Sequence, residues 1–148
     1  MGIIIATVIG CGKTHLIKDY ESVMSINDMT PVTKEPDEIA EEASNQAANY
    51  DITFVRGDLK IVEAICDKGV DFDLFYPSKE KVNEIVEGLV LKRLDFKAIQ
   101  KFDNNVPKLI DQLDSIDDPH CFKHKLERGQ YLCTDEMLYK YLESFTKK

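Results

Sequence analysis

Gly10, Cys11, Gly12, Lys13 and Thr14 stand together near the start of the chain, between an apolar run and an amphipathic stretch. Two glycines two apart let the backbone take conformations that a Cβ would forbid. At a helix start such a turn points successive N–H groups into one hollow, where the helix dipole also favours an anion. Binding of phosphate is therefore the chemistry to expect. The plain alternative is a tight strand-to-helix turn with a solvated lysine. Cys11 sits beside Lys13 at the same helix start, which predicts a lowered thiol pKa. His15 follows and faces solvent or the adjacent loop.

Other residues carry chemistry at lower density. His120, Cys121, His124 and Cys133 suggest zinc, because Cys-x-x-His can place two ligands on one ion. The remaining pair is not spaced like a common zinc knuckle, so a metal-free reading stands beside it. Arg56 and Asp58 end an apolar run. Arg56 suits a phosphate or solvent, and Asp58 suits a metal or the N-cap of the next helix. Lys92, Arg93, Lys97 and Lys101 face one acid, Asp95, in the one basic stretch of the chain.

The elements that must position these residues follow from periodicity. Ile3, Ile4 and Ile5 form a β-branched run without alternation, as in a strand buried on both faces. Leu16, Ile17, Tyr20, Val23 and Met24 make a helical stripe. Residues 25–34 read as a loop. Pro36, Asp37 and Glu38 open a helix over residues 36–48. A strand over 51–55 leads to a helix bearing Leu59, Val62, Ile65 and Cys66, closed by Lys68 and Gly69. A strand over 71–76 leads through Ser78 to a helix bearing Val82, Ile85, Val86 and Leu89. Residues 103–105 read as a turn, with Asn105 as the cap of a helix that has Pro107 in its first turn. Residues 130–133 read as a last strand, and Thr134 caps a terminal helix. Strands alternating with helices are βαβ units, which force a parallel sheet with helices outside. Ligands in such sheets bind beyond the carboxyl ends of the strands. Residues 10–14, 56–58 and 77–78 all lie at such ends.

Gly10 through Thr14 in this setting resembles the Walker A loop of P-loop NTPases, with Thr7 where that pattern has its first glycine. Asp19, Glu21 and Ser22, Pro77 and Ser78, and Gly129 through Leu132 extend the likeness to small phage and bacterial kinase-like members. The resemblance implies a three-layer α/β sandwich with a small, mainly parallel sheet, in one domain over residues 1–148 with a lid-like segment at 90–105. It implies that Gly10, Cys11, Gly12, Lys13, Thr14 and His15 bind ATP or another NTP. Lys13 would neutralise phosphate charge, and Thr14 would ligate Mg²⁺, with Asp58 in the metal shell or as the base. Arg93 would serve as a lid cation. The helix over 36–48 would cover the acceptor, or else be an ordinary surface helix.

Composition bounds the rest. The 148 residues carry a formal net charge of −8, with 43% hydrophobic and 31% charged residues. That is a globular composition, and the acidity argues against a non-specific grip on duplex nucleic acid. No run reaches the ~18 apolar residues of a membrane span. Four cysteines without a CxxC pair fit a reduced, cytoplasmic protein. The function expected is transfer of the γ-phosphoryl group to a nucleoside, nucleotide or polynucleotide acceptor. The alternative keeps the fold without the chemistry, as an acidic module that binds a protein partner; a nucleotide-binding switch without transfer is a third.

Overall fold

The computed structural model describes residues 2–91 and 95–146. Five strands form one all-parallel sheet: β1 (Ile3–Thr7), β2 (Ile26–Asp28), β3 (Ile52–Arg56), β4 (Phe72–Pro77) and β5 (Cys121–Leu126), ordered β2-β3-β1-β4-β5. The helices are α1 (Lys13–Tyr20), α2 (Pro36–Gln46), α3 (Leu59–Asp67), α4 (Lys79–Leu91), α5 (Phe96–Asp114) and α6 (Glu136–Glu143). The protein is thus α/β, with a parallel sheet flanked by helices.

β1 lies in the middle, paired with β3 on one side and β4 on the other. Its β-branched residues suit that place, and Ile4, Ile5 and Ala6 are buried. Parallel strands need crossover helices, and these run right-handed. Crossovers leading one way along the sheet put α1 on one face; those leading the other way put α2, α3, α4 and α5 on the opposite face. Packing agrees: α2 meets α3, α3 meets α5 and α5 meets α4. On the other side the Tyr20 hydroxyl donates to Glu143 of α6 at 3.4 Å. The layering is compatible with a three-layer sandwich. No helix among the described residues is long and apolar enough to cross a membrane.

Four elements depart from expectation. Residues 25–34 include β2, a three-residue strand held by its ladder to β3. Residues 103–105 are helical, because α5 runs without a break through Pro107. Ile99, Val106, Ile110 and Leu113 form one buried stripe, and its packing outweighs the ~3 kcal/mol a helical proline costs. The last strand is Cys121–Leu126, whereas Leu132–Thr134 is a single 3-10 turn. β5 is an edge strand with only Leu126 fully buried, so it lacks clear alternation; Lys123 and Lys125 reach across to Asp114 and Ile116 at and just beyond the end of α5. Asp135, rather than Thr134, caps α6 by accepting the Leu138 N–H at 3.0 Å.

Candidate functional site

The carboxyl ends of the inner strands lie side by side. Thr7 pairs with Arg56 of β3 and Phe75 of β4. The Gly57 N–H donates to the Thr7 carbonyl at 2.9 Å, and the Val8 N–H to the Phe75 carbonyl at 3.1 Å. The chain leaves β1 toward β2 and leaves β4 toward β5, in opposite directions. The ends of β1 and β4 therefore flank a topological switch point, the place where open α/β sheets form a crevice. The glycine loop opens there.

Gly10 and Gly12 have φ of 89° and 99°, a region that only glycine enters at little cost. Gly12 occupies the N-cap of α1. An ordinary helix start leaves four N–H groups without intrahelical partners. Here, among the described residues, no protein acceptor meets the backbone N–H of any residue from 9 to 15. The run of free donors thus extends back from the helix through the loop. Thr14 and His15 are exposed beside it.

Lys13 points across to the end of β2. Its ammonium donates to Asp28 Oδ2 at 2.8 Å and to the Thr30 hydroxyl. Asp28 also accepts the Thr30 N–H at 3.0 Å in a local turn. Burial works to raise the Asp28 pKa, but the bonds from Lys13 and Thr30 outweigh it and hold the carboxyl below its ordinary range. Asp28 is a residue that sequence reasoning missed. The available signal was Asp-x-Thr, an Asx-turn pattern, after Ile26.

A second cluster closes the loop from the α4 side. Tyr131 packs on Gly12, where an added Cβ would stand 3.2 Å from the tyrosine Cβ; Ile85 packs on Gly10 at 2.8 Å by the same measure. The Leu132 N–H donates to the Cys11 carbonyl at 2.8 Å. Glu84 gathers three donors: the Tyr131 hydroxyl at 2.6 Å, the Gly129 N–H at 2.6 Å and the Lys81 ammonium at 3.0 Å. The Tyr131 bond above all holds Glu84 down at about 2, against its partial burial and with help from Lys81 and Gly129. Between the loop and this cluster lies a hollow of about 180 Å³, lined by Gly10, Glu84, Ile85, Gly88, Leu89 and Tyr131.

The structure corrects several expectations. Cys11 is 1% exposed, and burial pushes its thiol up to about 12, past the opposing pull of the Thr7 hydroxyl and the Lys81 charge. Asp58 holds the N-cap position of α3 but makes no capping bond; its carboxylate takes the Arg56 Nε–H at 2.9 Å. Arg56 also donates to the Val32 carbonyl at 2.7 Å, so it braces the chain after β2. Arg93 and Lys92 lie outside the described residues. The zinc set does not gather: among the described residues no group of three or more His, Cys, Asp or Glu side chains is placed to hold a metal ion. Cys121 and His124 lie three apart on a strand, which turns them to opposite faces.

His124 instead bridges two carboxylates. Its Nε2 lies 2.9 Å from Asp73 on β4 and its Nδ1 2.9 Å from Asp135 at the start of α6, with the ring stacked on Phe75 at 4.4 Å. Burial lowers the imidazole pKa, but the two carboxylates outweigh it and raise the value above the ordinary 6.5. A raised folded-state pKa adds stability that is complete below the unfolded value and lost as pH rises through the folded one. The stability advantage of the native protein over His124→Gln is therefore expected to shrink as pH rises from about 6 to 8. Urea unfolding of both proteins across that range checks this, and a constant difference would contradict it.

Fold and loop together define an α/β protein whose glycine-rich turn opens at the switch point of an all-parallel sheet. No protein-family model matches the sequence, and no curated protein matches it.

Proposed function

We propose that the chain is a P-loop NTPase of the small nucleoside or nucleotide kinase type, which binds ATP or another NTP with Mg²⁺ and passes the γ-phosphoryl group to a nucleoside, nucleotide or polynucleotide acceptor. The observation that carries this reading is the run of N–H groups over residues 9–15, without protein acceptors among the described residues, at the switch point, with Lys13 within it. These donors suit a polyphosphate, because they supply positive potential without a mobile side chain. Lys13 adds a full charge once it exchanges Asp28 for phosphate. The Thr14 hydroxyl would hold Mg²⁺ from the loop, with Asp28 and Asp58 as the carboxylates at the neighbouring strand ends, and the ion would supply neutralisation of charge on the transferring group. Phosphoryl transfer needs positioning and electrostatic stabilisation more than covalent help, so a site built of amides and cations is chemically sufficient.

A second reading is supported by the packing of Ile85 and Tyr131 on the two glycines and by the Lys13–Asp28 pair. In it the loop is a structural turn, and the acidic chain serves as a protein-binding module. Thermal unfolding separates the two. Saturation at about 100 times Kd adds ~2.7 kcal/mol, which in a chain of this size raises Tm by roughly 5–10 °C. An unchanged Tm at millimolar ATP–Mg²⁺ favours the module.

A further inference from the structure

Lys81, in the first turn of α4, has no exposed surface. A buried ammonium costs several kcal/mol unless it is well paired, and apolar replacements of buried ion pairs are often neutral or better. The fold at this point needs length, not charge. Among the described residues the ammonium has one oxygen acceptor, Glu84 Oε1 at 3.0 Å, and one aromatic face, Tyr131, 3.4 Å from the ring centroid. An ammonium has three donors, so its bonding capacity is not filled. Its counter-ion is divided as well, since Glu84 also takes the Tyr131 hydroxyl and the Gly129 N–H.

The position is specific. The ring beneath the ammonium is the one that packs on Gly12, and the next residue, Leu132, is bonded to Cys11. Lys81, Tyr131 and the glycine loop form one packed unit. A buried cation thus stands beside a run of unpaired N–H donors. Both favour an anion, and together they favour one with more than a single charge.

We propose that Lys81 is a second polyphosphate-binding cation of this site, kept by Glu84 and Tyr131 until a phosphate oxygen takes over from the carboxylate. The assignment rests on the phosphate reading of the loop. Lys81 is then a binding residue that complements Lys13: Lys13 approaches from the β2 side and Lys81 from the α4 side.

Calorimetric titration of the full chain with inorganic tripolyphosphate tests this. Lys81→Met is expected to bind about 10-fold more weakly than the native protein, and Glu84→Gln several-fold more tightly, because it removes the competing carboxylate charge. A gain in affinity cannot arise from misfolding, so Glu84→Gln decides the matter if Lys81→Met does not fold. If both variants bind as the native protein does while Lys13→Ala weakens binding, the assignment of Lys81 is overturned and the phosphate reading stands. If the native protein does not bind tripolyphosphate, both fall.

Discussion

Lys13→Ala is expected to weaken ATP–Mg²⁺ binding by about 10- to 100-fold. A hydrogen bond to a charged group contributes roughly 1.5–3 kcal/mol, and each 1.4 kcal/mol is a factor of ten. Lys13 is the residue within the unpaired N–H run that brings a full charge to it, and its side chain is 25% exposed, within reach of an incoming ligand. The fold is expected to survive the change. Asp28 keeps both its bonds to Thr30, and a partly exposed ion pair contributes no more than about 1 kcal/mol. Weakened binding with an unfolding midpoint near the native one is the expected pair of results. Native affinity in Lys13→Ala would remove this loop from the function.

The second large effect falls on stability. Phe75→Ala is expected to cost about 3–5 kcal/mol, the usual range for emptying a buried phenylalanine site. Phe75 is fully buried near the carboxyl end of β4, pairs with Thr7 of β1, and stacks on His124 at an interplanar angle of 8°. Its carbonyl also anchors Val8 at the base of the glycine loop. The cavity would open under both the loop and the His124 clamp, where the strands cannot collapse to fill it. With native stabilities of about 5–15 kcal/mol, much of the total would be lost. Urea unfolding with an unchanged slope measures this, and a loss under about 1 kcal/mol would contradict the packing described.

The parts of this fold legible from residue types are those decided locally. Ile3, Ile4 and Ile5 run without polar alternation, and Gly10 and Gly12 follow soon after the strand, so a buried strand and its turn follow directly. Pro36, Ser78 and Gly69 mark helix ends by their own stereochemistry. The Ser78 hydroxyl accepts the Lys81 N–H at 3.1 Å, and Gly69 has φ of 67°. The parts decided by partners were not legible. β2 has three residues and exists through its ladder to β3, so no periodicity announces it. β5 is an edge strand whose outward residues are charged, which hides its alternation.

The same division runs through the candidate site. Lys13, Thr14 and the glycines are visible as a motif because they are contiguous. Asp28, Glu84 and Lys81 belong to it only through the order of strands in the sheet. Lys81 stands among Lys79, Glu80 and Glu84 and reads as part of a solvated helix face, yet it is fully buried, with the Tyr131 ring against its ammonium. The one local hint is its i, i+3 spacing from Glu84, which puts the pair on one helix face. Cys11 shows the limit of arguing from a helix N-terminus alone: the dipole and Lys13 suggest a reactive thiol, and burial reverses the sign.

The central claim is that the main-chain N–H groups of residues 9–15 hold a polyphosphate. Amide-proton NMR during titration with ATP–Mg²⁺ tests it most directly. Saturable shifts concentrated at Gly10, Cys11, Gly12, Lys13 and Thr14 are expected, as free N–H donors acquire phosphate acceptors. Unchanged amide signals at these residues under millimolar nucleotide would contradict it.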